Sequence, residues 1–422
     1  MKQSTKVRYI IFQILIDIYK KNKNFDEVFI KKTHGVYLDK KDISFINNIC
    51  LNSMRYNFHS KLILRKITKK KLKINQFILL SSALVQIVYL NIKPYAVVND
   101  SVEIAKITKV YPGFVNAVLQ NISRNKINIK SDTKIKKENF PSWFIKELKK
   151  NKQLDIEMFI ETFFNQPKLH IVFKSENLLN KFKAKHIKTS KKSAFIEVNK
   201  KVSELESFEK GDWWVQDFSS MISIEFLIKK ENDKILDMCS APGGKAFQLL
   251  SDGYDVTLND ISKKRIIKLK ENLQRLNLKS KIINSDALKI KEDNKFDIIL
   301  IDSPCSSVGT LRKNPEILFK SNRPNLKKLN KLQLDLLKKS SKLLNKNGII
   351  LYMVCSFLYS ETLEPINKFL SLNKEFKILK IPNSYMIKHN IFINKNYFLT
   401  APTKYVNDYI DGFFAIQIKK NV

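Results

Sequence analysis

From residue 211 onward the chain alternates short apolar, β-branched runs with amphipathic helical patterns, and few folds accept that alternation. The strand-like runs are KILDM (234–238), DVTLND (255–260), KIINSD (281–286), FDIILID (296–302) and GIILYMVCS (348–356). Between them lie helical stretches such as SKKRIIKLKENLQRL after Asp260 and LKKLNKLQLDLLKKSSKLL before Gly348. Strands joined by helices of this length predict a doubly wound, mostly parallel sheet. Ligands of such sheets bind beyond the carboxyl ends of the strands. Chemistry is therefore expected in the loops after 238, 260, 286, 302 and 356.

The first 130 residues follow a different period. Val7, Ile10, Ile11, Ile14, Leu15 and Ile18 fall on one face of a helix with 3.6 residues per turn. Similar spacing recurs around 43–54, 77–89, 97–107 and 114–122, with Pro94 and the Pro112-Gly113 pair as punctuation. No strand alternation occurs there, so an all-α bundle over 1–130 is expected. Residues 131–210 open as a polar, Lys-rich connector ending in Asn139-Phe140-Pro141. They then carry strand-like LHIVFK (from Leu169) and AFIEV (from Ala194), which read as a small α+β subdomain. The third part, 211–422, is the α/β domain.

Lys and Arg number 77 against 40 Asp and Glu, a net charge of +37 that attracts polyanions, nucleic acid first among them. Only 8 of the 77 are Arg, and the chain is rich in Ile and Asn, so part of this charge is compositional drift toward AT-rich codons. The excess is uneven: residues 1–130 hold 24 basic and 7 acidic residues, a net of +17. Lys66, Lys69, Lys70, Lys71 and Lys73 form the densest run, either a solvated turn between helices or a face for RNA. Four cysteines (Cys50, Cys239, Cys305, Cys355) make no disulfide framework, and without CxxC spacing or clustered His they imply no zinc site. Gln13 and Asp17 break the apolar run of the opening segment, which is not read as a signal peptide. The longest apolar stretch, FILLSSALVQIVYL from Phe77, is too short and too polar to span a bilayer. A cytoplasmic protein with reduced thiols is expected.

Three constellations sit on the expected loops. In DMCSAPGGKAFQLL, Asp237 to Leu250, two adjacent glycines stand between a strand and a helix in a chain with only nine glycines. They let a ligand approach the backbone, and the helix N-terminus favours an anionic group. Asp260 ends the second strand, where a carboxylate accepts from ribose hydroxyls, and Asp286 ends the third, where it borders a base. A nucleoside cofactor with a carboxylate or phosphate tail fits. The second constellation, IDSPCSSVGTLRKNPEI, places Asp302, Pro304 and Cys305 after the fourth strand, and the third, Cys355-Ser356, ends the fifth. A cysteine is often a small buried hydrophobe. Two of four at strand ends flanking one crevice suggest a thiolate nucleophile instead.

These motifs resemble the Sun-family RNA cytosine-5 methyltransferases, most closely the bacterial RsmB type that modifies small-subunit ribosomal RNA. DMCSAPGGKAFQLL is similar to the family's S-adenosylmethionine loop, DSPCSSVGTLRKNPEI to its Pro-Cys loop and VCS to its second-cysteine motif. VQDFSSM (215–221) and DGFFAIQIKK (411–420) also match. YAVVNDSVEIAK and FVNAVLQNISR resemble the NusB-like helical domain that precedes the enzyme in this type, and PSWFIKEL its intermediate segment. Phe218, Ser219, Ser303 and Val354 depart from the family's commoner residues.

The resemblance implies a NusB-like all-α RNA-binding bundle, a small α+β linker and a C-terminal α/β Rossmann-like class I methyltransferase. It implies that Cys239, Ser240, Ala241, Pro242, Gly243, Gly244, Lys245, Asp260, Asp286 and Asp302 hold S-adenosyl-L-methionine. Cys355 would attack C6 of a cytosine, making C5 an enamine-like carbon that takes the methyl group. Cys305 would assist product release, and Asp302 would hydrogen-bond the N3/N4 edge of a base splayed from its stack. Ribosomal RNA is the implied partner of an enzyme expected to be monomeric and to need neither metal nor membrane. Rival readings are a DNA cytosine-5 methyltransferase, in which the Pro-Cys cysteine attacks, and a non-enzymatic NusB-like assembly or antitermination factor. An N-methyltransferase is disfavoured, because Asp302-Ser303-Pro304-Cys305 lacks an aromatic Pro-Pro-Tyr/Phe loop.

Overall fold

A computed structural model describes residues 1–151, 154–197, 201–293, 295–319, 323–383, 385, 395–405 and 408–421. The chain divides into two compact units, one formed by Met1–Ile145 with Leu311–Arg323, the other by Lys146–Thr310 with Pro324–Val422.

The first unit is helical. Its helices include Gln3–Lys21, Phe25–Thr33, Lys40–Arg55, Asn57–Thr68, Ile74–Leu84, Pro94–Ile107 and Pro112–Arg124. All six residues of the apolar face from Val7 to Ile18 are buried. They meet Ile46, Ile49, Leu80, Leu84, Val97, Val115 and Leu119 in one core. Pro94 and Pro112 each occupy the first turn of a helix, where no backbone N–H is needed. The apolar run 77–89 is not one α-helix: Ile74–Leu84 passes into a wider π-turn over Val85–Tyr89. Buried Gln86 lies in that turn and accepts from Arg8 Nε at 2.8 Å. Arg8 also pairs with Asp100 at 2.8 Å, tying three helical segments together. Leu311–Arg323 joins this unit through Phe319, whose ring lies 5.0 Å from Phe58 and stacks 6.2 Å from Tyr19.

The second unit holds two sheets. Strands β1 (Leu169–Phe173), β2 (His186–Ser190), β3 (Ser193–Ile196) and β4 (Trp213–Val215) form an antiparallel sheet of order β2-β3-β1-β4. Val172, Phe195 and Trp214 of this sheet share a core with Phe218 and Met221 of the helix Phe218–Glu225 and Phe247 of the helix Gly244–Ser251, so the small sheet packs against helices beside a larger sheet layer. That layer contains β5 (Lys234–Asp237), β6 (Asp255–Asn259), β7 (Ile282–Ile283), β8 (Phe296–Asp302) and β9 (Leu344–Val354). It is completed by β10 (Phe376–Leu379), β11 (Phe398–Thr400) and β14 (Phe413–Lys420), while β12 (Thr403–Tyr405) and β13 (Asp408–Ile410) pair with each other in a separate two-stranded sheet. The order is β10-β14-β9-β8-β5-β6-β7, with β11 also on β14.

Strands β5 to β9 pair in parallel, and β14 runs antiparallel beside β9. The strand order reverses between β5 and β8, which opens a crevice beyond Asp237 and Asp302. Helices Lys263–Arg275 and Leu326–Leu343 bury Leu269 and Leu337, as their spacing predicts. The expected strand 281–286 shrinks to Ile282–Ile283. Beyond it, side chains replace the ladder: Asn284 Nδ2 donates to the Asp260 carbonyl at 2.7 Å, and Ser285 N–H to Asn259 Oδ1 at 3.2 Å.

Candidate active site

The loop after β5 is built by short polar contacts. The Asp237 carboxylate accepts from Cys239 N–H at 3.3 Å, and Ser240 Oγ donates to the Asp237 carbonyl at 2.8 Å. Ser240 Oγ also accepts from Asn259 N–H at 3.1 Å, fastening the loop to β6. Burial, then the nearby charge of Asp302, pushes Asp237 up to about 7. Cys239 is raised by burial and by the same acidic neighbours, so it stays a thiol. Gly243 has φ 114°, and a Cβ there would lie 2.1 Å from the Phe247 ring. Glycine is required at that position by both backbone and space. At Gly244 the atoms nearest a Cβ belong to Gln216, the first at 3.4 Å.

Lys245 follows in the helix Gly244–Ser251 and donates to Asp302 Oδ2 at 2.6 Å. Burial opposes its charge, but Asp302 more than offsets this, and Lys245 is held above the ordinary lysine value. Asp302, the last residue of β8, keeps about a third of its side chain exposed at 34%. Asp260 is 1% exposed: its carboxylate accepts from Ser262 N–H at 2.8 Å and Ala241 N–H at 3.3 Å, and pairs with Arg265 at 3.0 Å. It therefore shapes the loop it was expected to serve. Asp286 caps a short turn by accepting from Leu288 N–H at 3.0 Å. Among the described residues neither Cys239 nor Asp286 hydrogen-bonds Lys245, Asp302, Cys305 or Cys355.

The other half of the site is a thiol pair. Cys355 follows the end of β9, Cys305 lies three residues beyond β8, and their sulfurs are 3.2 Å apart. Cys355 Sγ also lies 3.5 Å from Ser307 Oγ. The hydrogen bond from Cys305 lowers Cys355 below the ordinary thiol value against the opposing effect of burial, with Ser307 and Lys245 assisting. The same hydrogen bond, with burial, raises Cys305 well above it. The direction of these shifts favours a thiolate on Cys355 over one on Cys305.

Sequence reasoning did not single out Ser307 or Glu361. Glu361 is fully buried and accepts from Ser306 N–H at 2.7 Å and from Ser356 Oγ at 2.7 Å. The serines that follow both cysteines were the available signal. No described group of three or more His, Cys, Asp or Glu is arranged to hold a metal ion, and no described helix is long and apolar enough to cross a membrane.

Comparisons with known proteins divide the chain in the same order. Residues 5–124 match the model of the NusB family, and residues 224–419 match that of 16S rRNA methyltransferase RsmB/F. The ribosomal RNA small subunit methyltransferase B of Vibrio vulnificus (strain YJ016) is 28% identical over 354 residues, 78% of this chain and 83% of its own. The protein of that name from Photorhabdus laumondii is 26% identical over 400 residues, 90% of this chain and 93% of its own. Among solved structures, PH0851 is 20% identical with a TM-score of 0.74, covering 100% of this chain and 99% of its own. A methyltransferase homologue from Pyrococcus horikoshii is 22% identical with a TM-score of 0.52, over 67% and 95%. These two share the fold.

Proposed function

We propose that this chain, whose residues 224–419 match the model of 16S rRNA methyltransferase RsmB/F and whose residues 5–124 match that of the NusB family, is an RNA methyltransferase that methylates C5 of a cytosine in small-subunit ribosomal RNA through a covalent adduct on Cys355. The observation that carries the covalent step is the 3.2 Å Cys305–Cys355 pair, with the lowered thiol on Cys355.

The residues at the strand ends fit S-adenosylmethionine. The loop 239–245 turns at a positive-φ glycine into a helix N-terminus, and the carboxylates of Asp286, beyond β7, and Asp302, at the end of β8, remain partly open, acceptors suited to hydroxyl and ammonium groups. The bound cofactor supplies an electrophilic methyl group. Everything else falls to the chain. Cys355 Sγ forms a bond to C6 of the cytosine, and the ring electrons move to C5, which then takes the methyl group. Solvent water takes the C5 proton, the C–H electrons restore the ring double bond and the S–C6 bond breaks, releasing the Cys355 thiolate to which the Cys305 thiol donates. Asp302 accepts from the cytosine N4 amino group, and Lys245, 2.6 Å from Asp302, places positive charge where the adduct ring gains electrons. Cys305 holds its proton beside Cys355 and serves the departure of the product.

The test is transfer of labelled methyl from S-adenosylmethionine to small-subunit RNA, with bisulfite sequencing to locate 5-methylcytosine. Methylation of duplex DNA in place of RNA would favour the DNA enzyme reading. Absence of cofactor binding would favour a non-enzymatic assembly factor.

A further inference from the structure

The two cysteine loops meet at one buried carboxylate. Glu361 lies in the 3₁₀ turn Tyr359–Glu361 and is 0% exposed. Its Oε1 accepts from Ser306 N–H at 2.7 Å, and its Oε2 accepts from Ser306 Oγ at 2.5 Å and Ser356 Oγ at 2.7 Å. Ser306 follows Cys305 and Ser356 follows Cys355. Gln333 Nε2 donates to the Pro304 carbonyl at 3.1 Å, so Cys305 is held on both sides, at Pro304 and at Ser306. The turn is itself held, because Tyr352 Oη donates to the Glu361 carbonyl at 2.8 Å.

Resting on the methyltransferase reading, we propose that Glu361 is the positioning residue that draws both cysteine loops onto one anchor and holds the two sulfurs against each other. With Ser306 and Ser356 seated on one buried carboxylate, the residues immediately before them, Cys305 and Cys355, are brought close enough for their sulfurs to lie 3.2 Å apart. The serine hydroxyls are donors, and a carboxylate is the acceptor that takes several donors at once. Glutamine at 361 keeps one acceptor for Ser306 N–H, but its amide must donate to the serine hydroxyls, which then have to turn their own protons elsewhere in a buried site, and the charge-assisted hold on both loops weakens. The negative charge of Glu361 also adds to the larger effects of Cys355 and burial that keep Cys305 protonated.

The test reads the sulfur pair directly and needs no RNA. The full chain is treated with diamide, which takes two electrons from the Cys305 and Cys355 thiols, forms their disulfide and is reduced to the hydrazine. Peptide mapping separates this link from Cys50 and Cys239. Glu361→Gln is expected to slow the cross-link about tenfold and Glu361→Ala about a hundredfold, the scale of a misplacement near 1 Å. The kcat for RNA methylation should fall in parallel, with the KM for RNA and the affinity for S-adenosylmethionine unchanged. Should Glu361→Ala fail to fold, the Ser306→Ala/Ser356→Ala pair removes two donors and leaves the carboxylate, and it is expected to resemble Glu361→Gln. Cross-linking within twofold of the parent in the folded variants overturns the proposal, whatever happens to kcat. Slowed cross-linking in a protein that methylates no RNA upholds the positioning role and refutes the methyltransferase reading.

Discussion

Two thiols 3.2 Å apart cannot both ionise near neutral pH, and their surroundings decide which one does. The hydrogen bond from Cys305 is the largest effect lowering Cys355, with Ser307 and Lys245 assisting against burial and Asp302; that bond and burial raise Cys305, and Glu361 adds to them. If Cys355 attacks C6, Cys355→Ala should give neither methylation nor adduct. Cys305→Ala should still attack and methylate, then stall and accumulate a protein–RNA adduct on a denaturing gel; the reverse pattern would assign attack to the Pro-Cys loop. Removing Cys305 also removes the donor that most lowers Cys355. The Cys355 thiolate is then less favoured and its pKa rises, so alkylation of Cys355 by iodoacetamide should require higher pH in Cys305→Ala. An unmoved alkylation profile would show that Cys305 is not that donor. One neighbour works against the fold: Ser303 Oγ is buried without a hydrogen-bond partner among the described residues. Ser303→Ala should raise stability by about 1 kcal/mol in urea unfolding, the low end of what an unpaired buried polar group costs.

At the scale of elements, the site depends on backbone passing close to backbone. Gly309 N–H donates to the Cys355 carbonyl at 2.9 Å, and the Gly309 carbonyl accepts from Gly412 N–H at 2.9 Å. A Cβ on Gly309 would lie 1.9 Å from the Gly412 carbonyl oxygen. Gly309→Ala should therefore part the Cys305 loop from β9 and β14, destabilising by about 1–3 kcal/mol in denaturant titration. Diamide cross-linking of the cysteines should slow with it, and an unchanged rate would mean that the loop yields elsewhere. This crossing explains the glycine in DGFF, which the sequence displays without its reason. The helical period in 1–130 and the apolar runs of β5, β8 and β9 were legible because burial imposes them residue by residue. The short β7 was not, since side chains of Asn259 and Asn284 take over from the strand ladder. The π-turn after Leu84 was hidden for a similar reason, because an apolar run does not reveal where a buried glutamine widens the helix. Strand ends and Gly-Gly carry the outline of the site in local sequence. The link from Glu361 to Ser306 spans 55 residues and leaves no local trace.

For the molecule as a whole, the open physical question is how much of the +37 charge acts. Lysine supplies 69 of the 77 basic residues, and solvated lysines scattered by codon drift would raise affinity for any polyanion weakly and evenly. A built RNA face would instead concentrate its contribution. Lys66, Lys69, Lys70, Lys71 and Lys73 are all exposed around the turn between Asn57–Thr68 and Ile74–Leu84. In that turn Lys69 takes the left-handed conformation, φ 53°. Replacing all five by Ala lowers the net charge from +37 to +32, a change too small to matter if charge acts only in bulk. If the run touches phosphates, each lost contact should remove about one unit from the slope of log affinity against log salt. The expected outcome is weaker RNA binding with a flatter salt dependence and unchanged affinity for S-adenosylmethionine, measured by fluorescence anisotropy and calorimetry. A salt slope equal to the parent's would assign this run to the solvated surface and the basic excess of 1–130 to composition. A flattened slope would instead make the helical unit a contributor of phosphate contacts, separable from the thiol chemistry because Cys305 and Cys355 lie in the other unit.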